Sequence, residues 1–299
     1  MAKRNKSRKP KFTPAERTLR FEIEHKQGFA QEQAHYLDIA KELSKVNRRL
    51  YRQHKVYSIR SISITSRNSQ NSLVKFGVAP DTWVTRNALS RGKIMFDKMQ
   101  ELALDKGMPK PRYNDFKVYL SNAHRFQGSR EMKAIDVNGD EYLPGEWIYS
   151  NFHEPKGLYA DDFTSHILGD SFFNGNNLES VGLIKSYAET RAAVQQSEPL
   201  MDNEVETDPL LNLFEDSESM DAIIEDLETD NNSAPYPIMT LNNESTISEV
   251  YPGSTDNGPV PVLKREAAVG NYGGISSPTV MLPGFEALCG LVEVRTQSV

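Results

Sequence analysis

The feature that most limits how this chain can fold is a set of short β-rich runs at irregular intervals. VYSIRSISIT (56–65), LVKFGV (73–78), FKVYL (116–120), EWIYSNF (146–152), SHIL (165–168), VGLIKSYAET (181–190), VPVLKREAAV (260–269) and ALCGLVEV (287–294) are rich in β-branched and aromatic residues. KAIDVNGDEYL (133–143) adds a hairpin around Asn138-Gly139, a strong two-residue turn signal. Their connections are long and unequal, and helices do not alternate regularly with strands. That pattern excludes a parallel α/β fold and predicts a mainly-β chain, an antiparallel sandwich with helical loop insertions. In 56–65 the alternation breaks phase near Arg60-Ser61, which predicts a bulge.

Helices are expected at two places. Thr13, Pro14 and Glu16 form a capping signal, and the pattern that follows predicts helix to about Lys55, with an interruption at Gly28. Tyr36, Ile39, Leu43, Val46 and Leu50 make an apolar seam along it, and Lys41, Lys45, Arg48, Arg52 and Lys55 make a basic stripe opposite. A second helix is expected from Trp83, behind Asp81 or Thr82 as cap, with Ala88, Leu89, Met95, Phe96, Met99 and Leu102 on its apolar side and a stop at Gly107 and Pro109. Met220, Ile223, Ile224 and Leu227 predict a short amphipathic helix within a polar, acidic stretch.

Charge divides the chain. Residues 1–60 hold 16 Lys/Arg and 6 Asp/Glu, residues 61–191 hold 16 of each, and residues 192–263 hold 16 acids with no Lys or Arg. The domain reading follows: a disordered basic arm at 1–12, a basic helical segment at 13–55, and a shell domain at 56–299 with an acidic surface insertion at 192–259. Lys3, Arg4, Lys6, Arg8, Lys9 and Lys11 crowd the arm without aromatics between them, which suits phosphate contact without base reading. The stripe from Lys41 to Lys55 is expected to extend that contact, because an ordinary solvated face mixes signs and this one does not; a plain solvated face and a merely solubilising arm are the bland alternatives, and the arm's cluster could also serve as a nuclear import signal.

Catalytic and metal motifs are weak. Asp136-Val-Asn-Gly-Asp-Glu-Tyr-Leu-Pro-Gly-Glu146 resembles a calcium loop but has its glycine at the fourth position, so a plain hairpin is the better reading. Gly169-Asp170-Ser171 lacks the surroundings of a nucleophile elbow. The six histidines show no zinc spacing, and neither a P-loop nor a dinucleotide-binding glycine pattern occurs. Cys289, the single cysteine, lies in an apolar run and reads as core, and one cysteine forms no intrachain disulfide. The expectation is a soluble, non-enzymatic protein of cytosol or nucleus, without cofactor, metal, membrane span or secretory signal.

The segments DIAKELSKVNRRLYRQHKVY (38–57), APDTWVTRNALSRGKIMFDKM (79–99), GEWIYSNF (145–152), LIKSYAETRAAVQQSEP (183–199) and LPGFEALCGLVEV (282–294) resemble capsid proteins of small circular Rep-encoding single-stranded DNA viruses, a group known largely from environmental sequencing. The resemblance implies a jelly-roll subunit, a small icosahedral (T=1) shell of many copies, a packaged single-stranded DNA genome, and no catalytic residues. It also implies residence in the virion, and in host nucleus or cytoplasm during assembly, with a nuclear import receptor as a possible partner. At sixty copies the first sixty residues would bring roughly 600 positive charges to the genome. The arm is short for this group, which puts more weight on the 41–55 stripe. A non-structural nucleic-acid-binding protein, such as a packaging or movement factor, is the other reading.

Overall fold

The computed structural model describes residues 15–24, 32–66, 72–104, 113–143, 145, 147–153, 162–175, 177–187, 261–272, 275–277 and 279–298. The basic arm and the insertion at 192–259, with its expected helix, lie outside the described residues, as does the expected helix stop at Gly107 and Pro109.

The described chain is mainly β. Its elements in order are β1 (Gln33–Asp38), α1 (Ile39–Asn47), β2 (Val56–Thr65), β3 (Ser72–Val78), α2 (Trp83–Leu104), β4 (Tyr119–Ser121), α3 (Asn122–Phe126), β5 (Phe152–His153), β6 (Asp162–Leu168), β7 (Phe172–Asn174), β8 (Asn177–Gly182), β9 (Val262–Tyr272), β10 (Ile275–Ser277), β11 (Thr279–Leu288) and β12 (Leu291–Ser298).

Two antiparallel sheets face each other across one core. The larger runs β1-β12-β3-β9-β10 and the smaller pairs β11 with β2. Val74, Phe76, Val78, Ala267, Val269, Val292 and Val294 point from the larger sheet toward Ile59, Ile62, Ile64, Val280, Leu282 and Phe285 of the smaller. Alternation along each strand places these side chains on one face, as period-2 patterning requires. A third sheet, β4-β6-β8-β7 with β5 on β6, is not purely antiparallel: β4–β6 and β6–β8 are parallel pairs. It shares a second core with α2, where Val84, Ala88 and Phe96 meet Leu120, Ile167, Leu168, Leu183, Ile184 and Tyr187. Thr82 caps α2 by accepting from the Thr85 N–H at 3.2 Å, and Asp81 instead pairs with Arg86. Met95, expected on the buried side of α2, is exposed.

The N-terminal helix is the main correction. Residues 15–24 are not helical, with Leu19, Phe21 and Ile23 half-buried at every second position, and residues 33–38 form β1 against β12. Among the described residues of 15–55, helix occupies only Ile39–Asn47. Asp38 caps it by accepting from the Lys41 N–H at 3.0 Å, and Arg48 closes it in the left-handed region at φ 52°. Tyr36, read as part of a helical seam, is a strand residue whose ring stacks on His124.

Four further expectations change. The phase break in β2 carries no inserted residue. Thr65 pairs with Thr279 and Val56 with Leu288 in one unshifted register, and both strands change phase together at Arg60-Ser61 and Pro283-Gly284. Gly284 permits this close approach, because a Cβ there would lie 1.7 Å from the Ile59 carbonyl oxygen. ALCGLVEV is a hairpin rather than one strand: Cys289 and Gly290, both at positive φ, turn β11 into β12. In VGLIKSYAET the strand ends at Gly182 and residues 183–187 are helical. The 133–143 hairpin is reduced to a turn at Asn138-Gly139 and a single Ile135–Glu141 bridge.

Candidate nucleic-acid interface

The five cations of the expected stripe divide into two groups. Lys41 donates to both carboxylate oxygens of Glu131 at 2.6 Å and lies 5.8 Å above the Tyr149 ring. Lys45 is buried and donates to Glu42 Oε1 at 2.6 Å, while Glu42 Oε2 accepts from the Ala134 N–H at 2.8 Å. Arg52 donates to Asp115 Oδ1 at 3.1 Å. All three charges pair with carboxylates of the body; burial in low dielectric demands this of the Lys45 ammonium, whereas the Arg52 side chain keeps 46% exposure. Of the five, Arg48 and Lys55 form an exposed pair, and Arg52 also faces water while bonded to Asp115.

The path of the N-terminal segment adds to that pair. The Glu16 N–H donates to Asn47 Oδ1 at 2.7 Å, and Asn47 Nδ2 donates back to the Glu16 carbonyl at 3.0 Å. Further along, the Ile135 N–H donates to the Arg20 carbonyl at 3.0 Å. Residue 15 thus sits beside the C-terminal end of α1, next to exposed Arg48, and Arg17 is exposed there too. Lys3, Arg4, Lys6, Arg8, Lys9 and Lys11 precede this point and lie outside the described residues.

A buried polar joint, absent from the sequence reading, fixes this region to the body. Gln53 is fully buried and treats Val118 as a strand partner would: it accepts from the Val118 N–H at 2.6 Å and donates to the Val118 carbonyl at 3.0 Å. The same amide nitrogen donates to Asp38 Oδ2 at 2.9 Å, and the Tyr149 hydroxyl reaches that oxygen at 3.3 Å. Asp115 accepts from the Gln53 N–H at 3.1 Å and faces His54 Nδ1 at 3.2 Å. Burial pushes the Asp38 carboxyl up to about 7, against the opposing pull of the Lys41 N–H and charge. Gln53 reaches Asp115 and Val118 across 62 and 65 residues, so no local pattern signals them. Asp38 alone left a trace, as an N-cap type directly before an apolar residue.

Two buried histidines and the cysteine serve as structural parts. Burial lowers His124 to about 3, and its Nδ1 accepts from the Leu120 N–H at 3.2 Å. Burial lowers His166 to about 4, with its ring nitrogens 2.7 Å from Ser180 Oγ and 2.8 Å from the Asp170 carbonyl. Ser171 Oγ accepts from the Gly182 N–H at 3.3 Å. Cys289 is buried, and burial pushes its thiol well up. Asp136 Oδ1 accepts from the N–H groups of Asn138 at 2.8 Å and Asp140 at 3.0 Å, an Asx turn. Among the described residues, no three His, Cys, Asp or Glu side chains gather as a metal site, and no helix is long and apolar enough to cross a membrane.

No protein-family model, curated protein or solved structure matches the chain.

Proposed function

We propose that this chain is a capsid protein, a jelly-roll subunit that assembles into a small icosahedral shell and packages single-stranded DNA through its basic N-terminal segment. The observation that carries the reading is where positive charge is left over. The body commits Lys41, Lys45 and Arg52 to its own carboxylates, whereas residues 1–14 hold six Lys/Arg and no acid. That segment joins the body beside exposed Arg48, so arm, Arg17, Arg48 and Lys55 form the phosphate-contacting set. The acids of 192–263 repel phosphate and belong on the side of the shell away from the genome. A nuclear import receptor is a second partner for the same Lys/Arg cluster.

Negative-stain microscopy of the purified full chain tests the shell: uniform small closed particles are expected. Deleting residues 1–12 should lower the 260/280 absorbance ratio of those particles. Monomers or dimers that bind DNA without forming shells would overturn the reading in favour of a non-structural packaging or movement factor. An unchanged absorbance ratio would remove the arm as the genome contact.

A further inference from the structure

Among the described residues, strand β2 leaves one long edge of the smaller sheet open. Among the described residues it pairs only with β11, and its ten residues contain no proline and one charge, Arg60. The opposite edge of that sheet is already blocked. Pro283 of β11 has no N–H to offer, and the carbonyls of Pro283 and Gly284 accept from the Arg265 guanidinium at 3.1 and 2.9 Å. At the near end of the larger sheet, β1 is covered by the Met132 N–H donating to the Tyr36 carbonyl at 2.7 Å, and the far-end strand β10 has three residues. An uncovered ten-residue edge is a template for another strand.

The side-chain pattern of β2 identifies that strand. From Val56 to Thr65 the residues run out, in, out, in, out, out, in, out, in, out, with Tyr57, Ile59, Ile62 and Ile64 inward on the core. The sequence of directions reads the same from either end, because the phase break sits at its centre. We infer that β2 pairs antiparallel with β2 of a second copy across a two-fold axis between Arg60 and Ser61. In that register Tyr57 lies opposite Ile64 of the second copy and Ile59 opposite its Ile62, so inward residues meet inward residues. Ser58 lies opposite Ser63 and Arg60 opposite Ser61 on the outer face. A strand of even length with unbroken alternation would set inward against outward in the same pairing. The kink that Gly284 permits is what makes the strand its own complement. The result is a four-stranded sheet, β11-β2-β2-β11, and an isologous dimer. This dimer goes beyond the shell reading and stands without it.

The test places cysteines at two exposed serines. In the proposed register the Ser58→Cys/Ser63→Cys variant brings each new thiol opposite its counterpart in the second copy. Within one copy the two positions are about 17 Å apart at about 3.4 Å per residue, too far to bridge. Full-length protein, freed of nucleic acid and held under conditions that dissociate particles, is treated with an oxidant or a short bis-maleimide. The expected product is a covalent dimer of the 33.8 kDa chain. Each single variant should stay uncross-linked, as should the wild type, whose Cys289 is buried. Melting curves matching wild type confirm that the variants are folded. No cross-linked double variant, or single variants that cross-link as readily as the double, overturns the two-fold register. Particles by microscopy without the cross-link would refute the dimer and leave the shell reading; the cross-link without particles would do the reverse.

Discussion

Removing the Gln53 side chain is the sharpest perturbation of the region that carries the N-terminal segment. Gln53 touches no solvent, and its amide serves three buried groups: the Val118 N–H, the Val118 carbonyl and Asp38 Oδ2. Gln53→Ala leaves both Val118 main-chain groups without a partner at a position itself almost fully buried. Each orphaned buried group costs about 1–3 kcal/mol, so the pair costs about 2–6 kcal/mol before any cavity term. Asp38 keeps the Lys41 N–H and the Tyr149 hydroxyl, so its share of the loss is smaller. Against a total stability of about 5–15 kcal/mol, the variant should be close to unfolding. Urea titration followed by tryptophan fluorescence should show the midpoint moving down with the slope unchanged. The neighbouring exposed change Lys55→Ala should stay within about 0.5 kcal/mol of wild type. A loss below about 1 kcal/mol for Gln53→Ala would refute the claim that this amide is a structural joint.

Three other outcomes follow from the same coordinates. Burial holds Asp38 at about 7 in the fold against 3.8 unfolded, so its contribution is fully present below the unfolded value and is lost as pH rises to 7; Asp38→Asn should remove that fall in stability between pH 4 and 7, read as melting temperature against pH relative to wild type. Gly284→Ala puts a methyl into the Ile59 carbonyl and should cost at least about 2 kcal/mol in urea unfolding, with Met281→Ala on the exposed outer face of the same strand as the tolerated control. Arg48→Gln/Lys55→Gln should lower the salt slope of DNA binding by about 2 and leave melting unchanged, whereas Lys45→Gln should leave the slope unchanged and cost about 3–5 kcal/mol by stranding Glu42.

The parts of the fold legible in the sequence are those whose pattern is local and long. VYSIRSISIT, LVKFGV and the helix from Trp83 all form where their periodicity puts them, because one face of each is buried. Legibility failed where two periods abut. Tyr36 belongs to a strand and Ile39 to the next helix, yet their spacing continues a 3-4 pattern, so a junction looked like one helix. Thr-Leu-Arg-Phe-Glu-Ile-Glu (18–24) alternates strictly, a strand period that directly follows the capping signal at Thr13 to Glu16. Leu183, Ile184 and Tyr187 have helical spacing immediately after a strand ends at Gly182. The turn at Cys289-Gly290 was hidden because its first position, at φ 59°, holds a cysteine where asparagine, aspartate or glycine is usual.

The candidate interface failed in part for a different reason, and the reason sorts its residues. A stripe of one sign on one helix says nothing about the acids that other segments bring to it. Glu131 reaches Lys41 from 90 residues away and Asp115 reaches Arg52 from 63. Residues 61–191 hold 16 acids and 16 bases, so acids were at hand for any cation that folded beside them. The arm differs in kind. Its six cations have no acid among the first fourteen residues, and their nearest carboxylate in sequence, Glu16, is turned onto the N–H groups of Arg17 and Thr18. Burial and local composition together therefore rank the expected contacts: the arm first, Arg48 and Lys55 with it, exposed Arg52 behind them because it is already bonded to Asp115, and Lys41 and Lys45 last as ion pairs set into the body. On the capsid proposal, the salt slope of DNA binding should follow the terminal segment and these exposed residues, separable from the stability of the body that carries them.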